Sequence, residues 1–107
     1  MFGIPEITSA DLTALRAQGA MRLIDVRSAA EVARGIIPGA EHIPMHLIPL
    51  KVGEIGDETP TVFYCHSGNR SGQVTAFLMQ HGLRSVMNLQ GGILAWVNSG
   101  QSLSSPA

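Results

Sequence analysis

The chain has 107 residues, 45% of them hydrophobic and 14% charged, a length and composition that fit one folded domain and exclude a disordered polymer. A formal net charge of −1 leaves no basic excess for a phosphate backbone or an anionic bilayer, so no nucleic acid and no membrane is expected as a partner. No stretch approaches the ~20 apolar residues that span a bilayer, and Glu6 and Asp11 stand where a secretory leader would be basic and then apolar, so a cytoplasmic protein is expected.

Thr8 with Asp11 three residues on forms a capping box, and Ile7 and Leu12 are spaced as a hydrophobic staple. Together they predict a helix that Gly19 ends. The apolar run MRLIDV at 21–26 predicts a strand, and Ser28 with Glu31 predicts a second capping box that opens a short helix through Arg34, stopped by Gly35. Pro38, Pro44 and Pro49 forbid a long helix from 36 to 49 and leave a brief strand around Glu41–Ile43 and one irregular turn. Gly53, Gly56 and Pro60, with acids between them, read as an exposed loop.

TVFYC at 61–65 is apolar on both faces and rich in β-branched and aromatic residues, the pattern of a central strand in a parallel sheet. Val74, Phe77 and Leu78 then recur at helical spacing, with Gly82 as the cap and His81 as a helix-end histidine. SVMNL at 85–89 predicts another strand, Gly91 and Gly92 a tight turn, and ILAWVNS a last helix with Trp96 in the core. The expected organisation is one domain over 1–100 and a frayed tail, QSLSSPA, over 101–107. Alternating strands and helices with short connections predict an α/β fold, with a mainly parallel sheet of four or five strands covered by helices on both faces.

The chain has one cysteine, Cys65, which excludes an intrachain disulfide, a multi-cysteine zinc site and a two-cysteine redox motif within it. All eight acids lie in residues 1–58, where the net charge is −3, whereas residues 59–107 carry only Arg70 and Arg84 and a net charge of +2. The cysteine's own half thus favours a thiolate and anionic ligands, unless folding brings Asp25 or Glu31 near it.

Cys65 ends the best strand, and in open parallel sheets ligands bind beyond the carboxyl ends of strands. The segment that follows, HSGNRSG, has no large apolar side chain and leads into a helix N-terminus, where unpaired backbone N–H groups collect. Gly68 permits tight curvature, the N–H groups of residues 66–71 can form an anion nest, and Arg70 adds a permanent charge. Each of these lowers a thiol pKa and holds an anion against the sulfur. Cys65 is therefore read as a nucleophile rather than as a small buried hydrophobe.

CHSGNRS, Cys65 to Ser71, resembles the active-site loop of the single-domain rhodanese-like sulfurtransferases. Three further segments match in order: LIDVRS at 23–28, the E-x-x-x-G-x-I-P-G-A pattern from Glu31 to Ala40 followed by HIP at 42–44, and GGILAW at 91–96. The resemblance implies a three-layer α/β/α rhodanese-like fold with no cofactor and no metal. It implies transfer of sulfane sulfur from thiosulfate or a persulfide donor to cyanide or a thiol, with a protein sulfur-relay partner as a further prospect. In these terms Cys65 is the nucleophile and persulfide carrier, and Arg70 orients the anion. The backbone of residues 66–71 cradles the outer sulfur, so that His66, Ser67, Gly68, Asn69, Arg70 and Ser71 bind substrate, with Ser67 and Ser71 as hydroxyl donors. Asp25 and Arg27 match a pair expected to brace the loop.

Two positions depart from the family pattern. Ile36 stands where a histidine is usual, outside the active loop, and is expected to affect packing. His66 stands where arginine or lysine is common, and removes a permanent charge from the site. The rival enzyme reading is a cysteine phosphatase or arsenate reductase, whose loops place five residues between cysteine and arginine. Here only His66, Ser67, Gly68 and Asn69 intervene, a ring better sized for one sulfur atom than for a phosphoryl group. A binding module that keeps the fold without the chemistry is the reading from another class, and an intact Cys65 with Arg70 argues against it.

Overall fold

The structure, a computed structural model, describes residues 3–106. Its sheet has five strands, β1 (Glu6–Ile7), β2 (Arg22–Asp25), β3 (Glu41–His42), β4 (Thr61–Tyr64) and β5 (Val86–Leu89), in the order β1-β5-β4-β2-β3. Every pairing is parallel, and β4 lies at the centre as its apolar sequence requires. The helices are α1 (Ser9–Gln18), α2 (Ala29–Val32), α3 (Val52–Ile55), α4 (Asn69–Gln80) and α5 (Gly92–Asn98), with a 3-10 segment at Met45–Leu50.

Alternation along the strands splits the core into two layers. Val62 and Tyr64 of β4 join Leu12, Leu23, Leu89, Ile93 and Trp96 on the α1/α5 face. Phe63 and Cys65 point the other way, to Ile24, Val26, Ile48, Val74, Leu78 and Val86 on the α4 face. This period of two decides which side of the sheet carries the thiol.

Both expected capping boxes form, at Thr8/Asp11 and at Ser28/Glu31. α2 is shorter than expected because its hydrogen bonding tightens after Val32, where Arg34 N–H bonds to the Glu31 carbonyl and Gly35 N–H to the Val32 carbonyl. Residues 53–60 are not all exposed loop. Val52–Ile55 is a helical turn with Ile55 buried, and Arg22 Nη1 donates to the Glu54 and Ile55 carbonyls at 3.1 and 3.2 Å, satisfying its C-terminal end.

The tail differs most from expectation. Ser104 and Ile36 exchange backbone hydrogen bonds at 2.8 and 2.9 Å, and Trp96 Nε1 donates to the Ser102 carbonyl at 2.9 Å. The indole N–H and the backbone groups of buried Ile36 need partners, and the tail supplies them. Ile36 itself is buried, away from the cysteine loop's hydrogen bonds. No helix among the described residues is long and apolar enough to cross a membrane.

Candidate active site

Cys65 follows β4 directly, and its chain curls through residues 66–68 into α4. Gly68, with φ of 106°, takes the left-handed turn that starts the helix, and its N–H donates to Cys65 Sγ at 3.1 Å. Ser71, in the first turn of α4, places its hydroxyl 3.4 Å from the same sulfur.

The inward aim of these N–H groups depends on what holds the opposite side of the loop. Ile93 and Leu94, in the first turn of α5, donate to the Cys65 and His66 carbonyls at 3.0 and 3.1 Å. A helix start has unpaired N–H groups, and here they bind the loop's carbonyls so that its own N–H groups turn to the sulfur. Gly91 and Gly92 allow this approach. Both have positive φ, 77° and 61°, and a Cβ on Gly92 would lie 2.5 Å from the His66 carbonyl oxygen and 2.6 Å from that of Cys65.

Burial alone pushes the Cys65 thiol up, since a charged sulfur loses water. The Ser71 hydroxyl and the N–H groups of Ser71, Gly68 and Ser67 together outweigh it, and the thiol ends below its ordinary value. The site is built to stabilise a thiolate.

Not every residue expected in the site meets the others. His66, which is exposed, lines a cleft of about 270 Å³ with Glu31, Arg34, Leu94, Val97 and Leu103. Ser67 and Asn69 face a different, polar cleft of about 360 Å³ that includes Glu6, Gln73 and Gln90. Arg70 lies near the sulfur, but its positive charge is not free: Nη1 and Nη2 donate to the two Glu31 carboxylate oxygens at 2.7 and 2.8 Å. Folding has brought an acid from the N-terminal half to the loop, and the expected positive field is cancelled at that point. Asp25 and Arg27 form a buried pair at 2.8 Å, yet Arg27 Nη2 reaches the Gly35 carbonyl at 2.7 Å rather than the cysteine loop. They brace the turn after α2.

Two participants lie outside the motif. Asn88 in β5 is buried and accepts the Ser71 hydroxyl hydrogen on Oδ1 at 2.6 Å; its Nδ2 donates to Glu6 Oε2 at 2.8 Å and to the Gly68 carbonyl at 3.2 Å. Glu31 is the other. A polar residue two positions after Val86, on the strand face that Cys65 shares, was the available signal for Asn88. Among the described residues no group of three or more His, Cys, Asp or Glu side chains gathers to hold a metal ion.

The rhodanese-like domain family matches residues 8–99. A sulfurtransferase of Allochromatium vinosum is 49% identical over 84 residues, 78% of this chain and 78% of that protein. The thiosulfate sulfurtransferase GlpE of Pseudomonas entomophila is 34% identical over 83 residues, 78% of this chain and 75% of the relative. Among solved structures, a rhodanese-related protein from Thermoplasma volcanium superimposes with a TM-score of 0.86 at 28% identity, covering 95% of this chain and 99% of that one.

Proposed function

Because this chain belongs to the rhodanese-like domain family, we propose that it is a sulfurtransferase of the thiosulfate sulfurtransferase type that carries sulfane sulfur on Cys65 as a persulfide. The observation that supports this most directly is the convergence of the Gly68 N–H and the Ser71 hydroxyl on one buried sulfur whose pKa is lowered. A thiolate is the nucleophile that sulfur transfer needs, and the reaction needs no general acid.

In the first half-reaction the Cys65 thiolate attacks the outer sulfur of thiosulfate. The S–S bond breaks, sulfite leaves with the electron pair, and Cys65 holds the persulfide. The loop N–H groups that stabilised the thiolate are positioned to take the negative charge now on the outer sulfur. In the second half-reaction cyanide or a thiol attacks that sulfur and the Cys65 thiolate returns. A persulfide donor, free or on a relay protein, loads Cys65 by the same displacement. The reaction is assigned to the cytoplasm, where a lone thiol stays reduced.

Thiosulfate:cyanide transfer by the wild type and its loss in Cys65→Ser test this reading. Four residues between Cys65 and Arg70 suit a single sulfur atom, so hydrolysis of aryl phosphates should stay at background. Phosphatase turnover without thiocyanate formation would replace the reading with the phosphatase one.

A further inference from the structure

Arg70 is the one permanent cation of the cysteine loop, and both its terminal nitrogens are occupied by Glu31 in a fork-to-fork pair. Glu31 is also held from behind. Its Oε1 accepts the Ser28 N–H at 3.1 Å and the Ser28 hydroxyl at 3.0 Å, so the carboxylate is a fixed part of the start of α2. Arg70 is close enough to the sulfur for the Cys65 thiolate to be among the groups that raise its pKa, although Glu31 dominates. Of the other nearby cations, Arg27 is buried against Asp25, and Arg34 stands exposed in the cleft shared with Glu31 and His66.

A sulfur dianion arriving at Cys65 therefore meets a guanidinium already neutralised. It must compete for Arg70 with a carboxylate that two Ser28 donors also hold, through the guanidinium N–H groups Glu31 leaves and the backbone N–H groups of the loop. A protonated persulfide, R–S–SH, brings no charge that needs Arg70.

We propose that Glu31 is a specificity-determining residue of the sulfur site: its carboxylate takes one edge of the Arg70 guanidinium and offsets its charge, so thiosulfate loads Cys65 less readily than a persulfide carried on a thiol does. The proposal rests on the reading of Cys65 as sulfur carrier. In the favoured step the Cys65 thiolate attacks the terminal sulfur of R–S–SH, the S–S bond breaks, R–S⁻ leaves with the electron pair, and Cys65 holds S–SH. No oxidant or reductant is consumed.

The test compares two donors that release sulfur oxyanions but differ in charge, thiosulfate (a dianion) and methanethiosulfonate (a monoanion), with cyanide as acceptor. Glu31→Gln should raise kcat/KM for thiosulfate roughly tenfold at low salt, mainly through KM, with a much smaller gain for methanethiosulfonate. The gain should shrink as salt rises. It should vanish when Glu31→Gln is combined with Arg70→Gln, because the freed guanidinium is its source. Ser28→Ala, which removes a capping hydroxyl and keeps the carboxylate, should leave the donor ratio unchanged. A ratio that Glu31→Gln does not move, or that Ser28→Ala moves equally, overturns the specificity role while sulfur loading of Cys65 stands. If neither of these donors nor a low-molecular-weight persulfide adds sulfur to Cys65 in the wild type, the carrier reading falls and this assignment with it.

Discussion

The Ser71 hydroxyl donates to Asn88 Oδ1 at 2.6 Å, while the same oxygen lies 3.4 Å from the Cys65 sulfur. Asn88 is oriented by its own amide N–H groups, which donate to the Glu6 carboxylate and the Gly68 carbonyl. Ser71 has a single hydrogen and two neighbours that can accept it, Asn88 and a thiolate. The thiol and thiolate forms of Cys65 therefore present different demands to one buried hydroxyl.

Ser71→Ala removes the largest of the contributions that lower the Cys65 thiol, while the opposing cost of burial remains. The thiol should ionise at higher pH, and below that range less thiolate exists. Alkylation by iodoacetamide followed against pH should show a profile displaced to the alkaline side of the wild type. A superimposable profile would remove Ser71 from the machinery of the thiolate.

Gly92 lies where α5 meets the loop, and an added Cβ would contact the His66 and Cys65 carbonyls at 2.5 and 2.6 Å from a backbone with φ of 61°. Neither carbonyl is the end of a flexible side chain, so the backbone must move. Gly92→Ala should cost about 2 kcal/mol or more, a fall in Tm of about 10 °C for a chain of this size. It should also slow sulfur loading of the molecules that remain folded. A melting curve like that of the wild type would show that the α5 start and the loop are not held together as described.

The hydrogen bonds from Arg70 dominate the environment of Glu31, and despite some burial they hold its carboxyl down at about 2, against 4.5 ordinarily. A carboxyl depressed by folding adds stability above its unfolded pKa, and this is lost as pH falls through the folded one. The difference in unfolding free energy between wild type and Glu31→Gln should therefore be level from neutral pH to about pH 5 and shrink toward about pH 2. Both side chains are part-exposed, so its size should be about 1 kcal/mol or less. Urea titrations at several pH values measure it, and a difference that grows on acidification would contradict the pair.

The cysteine loop was legible because its parts are local: strand, cysteine, glycine and helix start lie within ten residues of one another. The central place of β4, the two capping boxes and the parallel sheet were legible for the same reason, since periodicity and caps are short-range properties. Charge at the site was not. Glu31 and Arg70 are 39 residues apart, and Glu6 and Asn88 are 82 apart, separations at which pattern says nothing about contact. Sequence marked Glu31 as a capping residue, which it is, and could not show that its carboxylate also binds Arg70. The tail read as frayed because it is polar and terminal, yet Trp96 and Ile36 each present groups that need partners and find them at Ser102 and Ser104. Gly91 and Gly92 read as a turn, whereas their consequence is the close approach of α5 to the loop carbonyls.

The central claim is that one sulfur atom rides on Cys65, and intact mass spectrometry tests it most directly. Incubation of the wild type with thiosulfate or a low-molecular-weight persulfide should add the mass of one sulfur atom, and cyanide should remove it with formation of thiocyanate. Cys65→Ser should show neither change, since the chain has no other thiol. A sulfur adduct on Cys65→Ser, or a wild type that neither donor loads, would contradict the account.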